Sequence, residues 1–197
     1  MIVYPVKHSQ LLRQPEHFIS RDELKTLIKK VTHNLVNIHD ETGEFLLRLD
    51  DGRVIDTKGW AGWEWTHGVG LYGMYQYYQQ TGDEMMRDII DSWFAERFAE
   101  GATTKNVNTM APFLTLAYRY EETRNPAYLP WLDAWAEWAM HQMPRTEFGG
   151  MQHITLAEEN HQQMWDDTLM MTVLPLAKIG KLLNRPEYIE EATYQFL

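Results

Sequence analysis

The stretch Tyr120-Glu121-Glu122-Thr123-Arg124-Asn125-Pro126 marks a point where one predicted helix ends and the next begins. Two other stretches have the same character, namely Tyr78-Gln79-Gln80-Thr81-Gly82-Asp83 and Lys181-Leu182-Leu183-Asn184-Arg185-Pro186. Gly is favoured just past a helix end and Pro just inside a helix start, so each stretch predicts a short turn between two helices. Because the turn recurs, the sequence predicts a repeated helix hairpin, which is an α/α array.

Helical periodicity extends over most of the chain. A capping box at Ser20–Glu23 predicts a helix that continues to about residue 39. Further helices are predicted over residues 66–80, 84–99, 109–123, 127–142, 166–183 and 186–197. Residues 44–56 instead form two short apolar runs around an Asp-Gly pair, which predicts a small β-hairpin. We therefore expect residues 1–19 to be an N-terminal extension and residues 20–197 to be one all-α domain with this hairpin.

The two helices of each predicted pair differ in polarity. Residues 68–75 and 169–176 carry almost no charge, whereas the second helix of a pair is amphipathic, as in residues 88–94. An apolar helix is expected to be buried and an amphipathic one to face water, so the pattern predicts an inner and an outer ring of helices, an α/α toroid. Only three complete pairs follow the first helix. The chain is therefore either a natural half-array or, as we favour, the N-terminal part of a longer toroid.

Composition excludes several classes of function. The chain has 197 residues, enough for one domain, and 18 Lys and Arg against 28 Asp and Glu give a net charge of −10. Because basic clusters are absent, nucleic acid is not an expected partner. Cysteine is absent, which excludes disulfides and thiolate metal sites. We see no secretory signal and no apolar run of about 18 residues, so we expect no membrane partner and a cytoplasmic location.

Polar and aromatic residues are concentrated at three junctions that precede inner helices. The first junction spans residues 60–68, the second residues 105–112, and the third combines residues 149–154 with residues 162–168. If the inner helices all enter the ring from the same side, these junctions meet around one mouth. Helix N-termini present free N–H groups and a positive dipole end, so such a mouth suits an anionic ligand.

Adjacent carboxylates at the third junction have different expected roles. Asp166, like Thr66 and either Asn108 or Thr109 at the other junctions, suits a helix N-cap. Asp167 has apolar neighbours at helical spacing: Met164, Met170, Met171 and Leu174. Such surroundings favour the protonated form of a carboxyl group, which suits a residue that donates a proton. Asp167 is therefore the candidate catalytic acid.

Other residues at the junctions have both a structural and a functional interpretation. His67 and His153 could be core histidines or substrate ligands, and they lack metal-ligand spacing with Asp167, so no metal site is predicted. The aromatic rings could stack on a sugar or fill the core, and they are Trp63, Trp65 and Trp165. A separate tryptophan row at helical spacing is expected to pack in the core, and it consists of Trp131, Trp135 and Trp138.

The stretch Trp165-Asp166-Asp167-Thr168-Leu169-Met170-Met171 resembles the Trp-x-Asp-(Thr/Gly)-Leu-aromatic-Met signature of the unsaturated glycuronyl hydrolases, glycoside hydrolase families 105 and 88. The resemblance is closer to family 105, the unsaturated rhamnogalacturonyl hydrolases. Residues 63–73 and 106–112 and the pair Gln152-His153 also fit, so the resemblance extends from about residue 20 to the end. Together these motifs are fairly specific.

The resemblance implies an (α/α)6 toroid of which this chain has the N-terminal half. It also implies hydration of the C4=C5 double bond in an unsaturated uronyl residue of pectin-derived oligosaccharides, without a cofactor or metal. By motif position Asp167 is the general acid and base, and the family often has a second Asp where this chain has Asn108. Substrate-binding positions would be Trp63, Trp65, His67, Asn108, His153 and Trp165. The expected partner is thus a small anionic oligosaccharide.

Two other functions stay open on sequence grounds. Another sugar enzyme of the α/α toroid class, such as an epimerase or a lyase, would tend to use a His pair or a Tyr and Arg base set, which we do not see. An inactive fragment could act as a binding or packing module. The linked sugar, the oligomeric state and the preferred chain length are not predicted.

Overall fold

The structure is a computed structural model, and it describes residues 19–49, 52–101, 103–156 and 158–197. The predicted N-terminal extension, except for its last residue, lies outside the described residues. In the described ranges, no helix has the length and apolar content that crossing a membrane requires.

Helices account for most of the described chain. In order, they are α1 (Arg21–Val36), α2 (Trp65–Thr81), α3 (Glu84–Glu100), α4 (Val107–Met110), α5 (Phe113–Thr123), α6 (Leu129–His141), α7 (Leu174–Leu183) and α8 (Pro186–Phe196). A 3-10 turn, Pro126–Tyr128, leads into α6, and a π-helical turn, Leu169–Val173, leads into α7. The predicted capping box of α1 is present, since Ser20 and Glu23 exchange both hydrogen bonds. The all-α prediction is confirmed.

The predicted hairpin is also present. Strands β1 (Leu46–Arg48) and β2 (Val54–Asp56) pair in antiparallel register, with Leu47 opposite Ile55. Gly52 at the turn has a φ of 85°, a conformation that glycine adopts without strain. Asp56 ties the hairpin to its surroundings, because its carboxylate accepts hydrogen bonds from the N–H groups of Asp40, Lys58 and Gly59.

Helix contacts follow the predicted inner and outer layers. The inner elements α2, α5 and α7 lie side by side in that order, and α4 and the π turn pack against the same row. The outer helix α3 packs on α2, α6 packs on α5 and α7, and α8 packs on α7. Short turns join the helices of a pair, with Gly82 at a φ of 72° between α2 and α3 and Asn184 at 55° between α7 and α8.

Aromatic rings fill the space between the layers. Trp63 stacks on Phe113, Trp131 and Trp135, with ring centroids 5.6, 6.1 and 6.0 Å apart. Trp135 and Trp138 are buried and Trp131 is partly buried, which confirms that this predicted row on α6 packs in the core.

Helix starts differ from the prediction. The structure places N-caps at Glu64 and Asn106, rather than at Thr66 and at Asn108 or Thr109, and Asn106 forms a capping box with Thr109. The helix predicted over 109–123 is broken into α4 and α5 at Pro112, because proline lacks the N–H that an unbroken helix needs. Each junction contains several residues of types that cap helices, so the sequence pattern alone did not identify which of them is the N-cap.

The inner helices are less buried than their composition predicts. In α2, Leu71 and Met74 are buried while Val69 is exposed, and Met170 and Leu174 are exposed at the start of the α7 region. The expectation that an apolar helix is buried all round is therefore correct for only one side of these elements.

Candidate functional site

A three-residue polar cluster surrounds the Asp167 carboxylate. His153 Nδ1 lies 3.2 Å from Asp167 Oδ1 and 3.1 Å from Thr168 Oγ1. The Thr168 hydroxyl donates to the same Asp167 oxygen over 3.4 Å. With its ring proton on Nδ1, His153 is a second donor to the carboxylate. His153 is buried, whereas the Asp167 side chain is 40% exposed. The Asp167 carboxylate is therefore hydrogen-bonded on one side and accessible from solvent on the other.

A tryptophan fixes the plane of the histidine ring. The rings of Trp165 and His153 stack with centroids 4.1 Å apart and planes inclined by 5°. Gln163 holds both residues, since its carbonyl accepts from the His153 N–H at 2.8 Å and its side-chain oxygen accepts from the Trp165 indole N–H at 3.0 Å. Trp165 is itself half exposed, so one part of its ring surface can meet a ligand.

The loop that carries His153 is held by its own hydrogen bonds. Gln152 accepts from the Gln162 N–H at 2.9 Å and donates to the Glu159 carbonyl at 2.8 Å. Two residues of this loop, Asn160 and Gln162, have positive φ angles of 46° and 60°. These bonds bring residues that are about ten positions apart together, which explains why His153 reaches Asp167.

The surroundings of Asp167 differ from the predicted apolar stripe. Of the four apolar neighbours, only Met171 is buried, while Met164, Met170 and Leu174 are exposed. The π turn that begins at Leu169 has wider turns than an α-helix, so regular α-helical spacing does not describe which side chains share a face. The carboxylate is therefore oriented by hydrogen bonds rather than enclosed by apolar side chains.

Asp166 lies on the outside of this cluster. Its side chain is exposed, and its carbonyl accepts a hydrogen bond from the Leu169 N–H at 3.1 Å. Helical residues begin at Asp167, so Asp166 occupies the position directly before the helix. Its role as N-cap and the separate roles of the two carboxylates stay predictions.

The second junction lies beside the third. The Val107 N–H donates to the Ile154 carbonyl over 3.0 Å, and α4 packs against the π turn. Asn108 on α4 is half-buried, and it lines a cavity together with Glu64 of the first junction. The packing of α2 on α4 and the bond from Val107 to Ile154 therefore bring the three junctions together.

A cavity of about 640 Å³ opens where the first two junctions meet the hairpin. Exposed rings of Phe45 and Trp65 line it, together with Asn108 and Glu64. Thr155, two residues after His153 in the sequence, also lines this cavity. Burial raises the pKa of Glu64, an effect that hydrogen bonds from Asn108 and from the Trp65 N–H oppose.

Two residues predicted to bind substrate lie in the core. Trp63 is 8% exposed and stacks among the aromatic rings, and His67 has no exposed surface. Burial lowers the pKa of His67 to about 4, so the ring is neutral near pH 7, and its Nε2 has no hydrogen-bond partner among the described residues. Trp60 and Trp93 pack against this imidazole. Trp63 and His67 are therefore core-packing residues in this structure.

Sequence reasoning did not single out Thr168, Gln163 or Glu64. Thr168 and Gln163 belong to the third junction, but nothing in their spacing shows that they contact His153. Glu64 lies between Trp63 and Trp65 in the sequence. A charged residue between two tryptophans was the signal that could have identified it. Chemically, the cluster offers one exposed carboxyl group with two donors, beside aromatic surfaces that suit a sugar ring. In the described ranges, no group of three or more acidic or histidine residues is arranged to hold a metal ion.

Comparison with known proteins identifies relatives of this chain. Residues 37–197 match the family described as Glycosyl Hydrolase Family 88. The chain is 32% identical over 136 residues to the unsaturated rhamnogalacturonyl hydrolase YesR of Bacillus subtilis (strain 168), which covers 68% of this chain and 40% of YesR.

Two solved structures are similar in sequence and in fold. One is a possible member of the GH105 family from Klebsiella pneumoniae subsp. pneumoniae MGH 78578, 85% identical with a TM-score of 0.87, covering 100% of this chain and 51% of that one. The other is a possible GH105 member from Salmonella enterica subsp. enterica serovar Paratyphi A str. ATCC 9150, 90% identical with a TM-score of 0.87, covering 99% and 52%. The chain thus spans about half the length of these relatives.

Proposed function

Because this chain belongs to Glycosyl Hydrolase Family 88, we propose that it acts on short oligosaccharides that end in an unsaturated uronyl residue, of the kind derived from rhamnogalacturonan or pectin. The single observation that carries the proposal is the Asp167 carboxylate, which is exposed and held by His153 and Thr168. A placed acid of this kind is what hydration of a carbon–carbon double bond requires.

Asp167 is the proposed general acid and base. Its carboxyl group donates a proton to C4 of the C4=C5 double bond, and the positive charge that develops is shared by C5 and the ring oxygen. Water then forms a bond to C5 and gives one proton to the Asp167 carboxylate, which restores the acid. The resulting hemiketal opens and releases the linked sugar, so the reaction consumes one water molecule.

Neighbouring residues have supporting roles in this proposal. His153 and Thr168 direct hydrogen bonds at one oxygen of Asp167, which stabilise the carboxylate after its proton has left. That arrangement leaves the second oxygen to face the substrate. The half-exposed rings of Trp165 and Trp65 provide surfaces for sugar stacking.

The proposal is tested by comparing Asp167→Asn with Asp166→Asn in the naturally encoded protein. The assay follows loss of the ultraviolet absorbance of an unsaturated rhamnogalacturonyl disaccharide, since hydration removes its conjugated double bond. We expect Asp167→Asn to lower kcat by about 10²–10⁴-fold, the range that general acid–base groups contribute. Asp166→Asn is the matched control, because its exposed carboxylate lies outside the cluster, and we expect a rate within about twofold of wild type. An unchanged rate in Asp167→Asn would show that another group supplies the proton.

A further inference from the structure

Gln152 is a buried amide that the proposed reaction does not use. It is 4% exposed, and it directly precedes His153 in the chain. Its side-chain oxygen accepts a hydrogen bond from the Gln162 N–H at 2.9 Å, and its side-chain NH₂ group donates to the Glu159 carbonyl at 2.8 Å. Both ends of the amide are therefore bound to one short segment, which we call the 159–162 turn.

The 159–162 turn has a backbone shape that needs support. Asn160 and Gln162 have φ angles of 46° and 60°, in the left-handed region that residues with side chains rarely occupy. One further bond closes the turn, from the Gln163 N–H to the Asn160 carbonyl at 2.9 Å. Because the two bonds from Gln152 reach the first and the last residue of the turn, this one amide holds both left-handed residues in place.

Gln163, directly after this turn, holds the two rings of the site. Its carbonyl accepts from the His153 N–H at 2.8 Å, and its side-chain oxygen accepts from the Trp165 indole N–H at 3.0 Å. Stacking on Trp165 at 4.1 Å sets the plane of the His153 imidazole. In that plane, His153 Nδ1 lies 3.2 Å from the Asp167 carboxylate. A shift of the turn would therefore move the donor to Asp167.

We propose that Gln152 is a positioning residue for proton transfer by Asp167. By holding the 159–162 turn, it fixes the place of Gln163 and, through Gln163, the direction of the His153 Nδ1–H bond. The inference rests on the proposed function and deepens it, because it names a residue that acts on the catalytic carboxyl group without touching substrate. Gln152 is itself buried, so its effect reaches Asp167 through these contacts.

A second buried amide, Gln195 on α8, provides a matched comparison. Its side-chain oxygen accepts from the Met151 N–H at 2.7 Å, and its NH₂ group donates to the Gly149 carbonyl at 3.0 Å. Gln195 thus holds a neighbouring turn through the same kind of bonds, but neither bond reaches the 159–162 turn. Loss of either amide should therefore lower stability to a similar extent, whereas loss of Gln152 alone should disturb the site.

The substitution Gln152→Leu in the naturally encoded protein tests this role, with Gln195→Leu as the control. Leucine leaves the backbone partners of either amide without a hydrogen bond, so we expect both melting temperatures to fall by on the order of 5 °C. A displaced donor lowers the rate of the chemical step rather than substrate affinity. We therefore expect Gln152→Leu to lower kcat about tenfold with KM within about twofold of wild type, and Gln195→Leu to keep kcat within about threefold.

A double-variant cycle shows whether Gln152 acts through His153. His153→Phe removes the donor that Gln152 is proposed to direct. Adding Gln152→Leu to His153→Phe should therefore lower kcat by less than about twofold more, whereas two independent effects would multiply. Steady-state kinetics of the two single variants and the double variant measure this coupling.

Each result decides between the two proposals. A wild-type kcat in Gln152→Leu, an equal loss of kcat in Gln195→Leu, or a further loss of about tenfold in the His153→Phe background would overturn the positioning role and leave the proposed function intact. If the wild-type protein does not consume the unsaturated disaccharide, the proposed function fails instead. Nitrogen NMR of the histidine rings then still tests the inference, because the His153 Nδ1 signal, assigned by its absence in His153→Phe, should shift in Gln152→Leu and not in Gln195→Leu. An unchanged signal in Gln152→Leu would overturn the inference.

Discussion

His153 lies between Trp165 and Asp167: its ring stacks on the indole at 4.1 Å, and its Nδ1 lies 3.2 Å from the carboxylate. Stacking fixes the plane of the imidazole, and the plane fixes the direction of the Nδ1–H bond. Because His153 is buried, substrate cannot displace it from this position. We therefore propose that the histidine orients the carboxylate from behind, and its predicted contact with a sugar stays a prediction.

Substitutions at His153 should separate its stacking from its hydrogen bond. His153→Phe keeps a flat ring against Trp165 but removes the donor to Asp167, and we expect kcat to fall about 10–100-fold with little change in KM. His153→Asn replaces Nδ1 by an amide nitrogen and removes the stack, so it should retain more of kcat and lose more thermal stability. The measurements are steady-state kinetics and thermal melts of both variants. If His153→Phe turned over substrate at the wild-type rate, the orienting role would be refuted.

Close packing at Gly68 should make this position sensitive to a single methyl group. A Cβ there would lie 2.5 Å from Ala111 Cβ and 2.9 Å from Pro112 N, so α2 would have to move away from the turn after α4. We expect Gly68→Ala to lower the free energy of unfolding by about 1–3 kcal/mol. Urea titration followed by circular dichroism measures the change.

Gly73, on the same helix, is the matched control for Gly68. A Cβ at Gly73 would meet no atom of a neighbouring element within 4 Å, and the backbone there is helical, so Gly73→Ala should raise the free energy of unfolding by up to about 1 kcal/mol. Equal effects of the two substitutions would show that the contact with Ala111 and Pro112 does not limit how closely these elements pack.

Local signals in the sequence were sufficient to predict the helix pairs and the hairpin. Turn residues such as Gly82 and Asn184 act through their own backbone conformations, so they can be recognised without tertiary information. The Ser20 capping box is likewise a local feature, and helical spacing was sufficient to predict that the tryptophan row on α6 packs in the core.

Local signals did not predict which side chains at the junctions are buried or which of them contact each other. His67 and Trp165 both belong to junctions rich in polar and aromatic residues, yet one is buried and the other half exposed. The contact of His153 with Asp167 depends on hydrogen bonds in the loop that joins them. The stack of Trp63 on Phe113 joins residues 50 positions apart. Such contacts arise from how the inner elements pack, which periodicity does not encode.

A buried ion pair between α3 and α5 should contribute to stability. Arg119 is 4% exposed, and its guanidinium donates to both oxygens of Asp91 at 2.9 and 2.8 Å. Asp91→Ala leaves the buried cation with Glu122 as its other acidic partner. Because the Asp91 side chain is 36% exposed, we expect a loss of about 1–2 kcal/mol in the free energy of unfolding, less than for a fully buried pair.

Asp88 offers the matched comparison on the same helix. It pairs with Arg87 at 2.8 Å, but its side chain is 65% exposed, so Asp88→Ala should change the free energy of unfolding by less than about 0.5 kcal/mol. Chemical denaturation of both variants gives the comparison. A loss in Asp91→Ala as small as that in Asp88→Ala would argue against a stabilising pair.

His67 should make the fold sensitive to mild acid. Burial, with a contribution from nearby Arg97, lowers its pKa from the ordinary value of 6.5 to about 4, although Asp56 acts in the opposite direction. As pH falls below 6.5 the unfolded chain takes up the proton first, so the folded state loses stability until the pH reaches about 4. The difference in pKa corresponds to a loss of about 3 kcal/mol by pH 4.

The variant His67→Gln isolates this contribution, because glutamine keeps a polar side chain but does not titrate. The substitution removes the ring that packs against Trp60 and Trp93, so the variant should have a lower free energy of unfolding than wild type at pH 7. The difference in free energy of unfolding between the two proteins should become smaller as the pH falls from 6.5 to 4. Exposed His39→Gln is the control and should follow the wild-type profile. Urea titrations at several pH values measure all three proteins. If the difference in free energy of unfolding between wild type and His67→Gln stayed constant over this pH range, protonation of the buried imidazole would not destabilise the folded state.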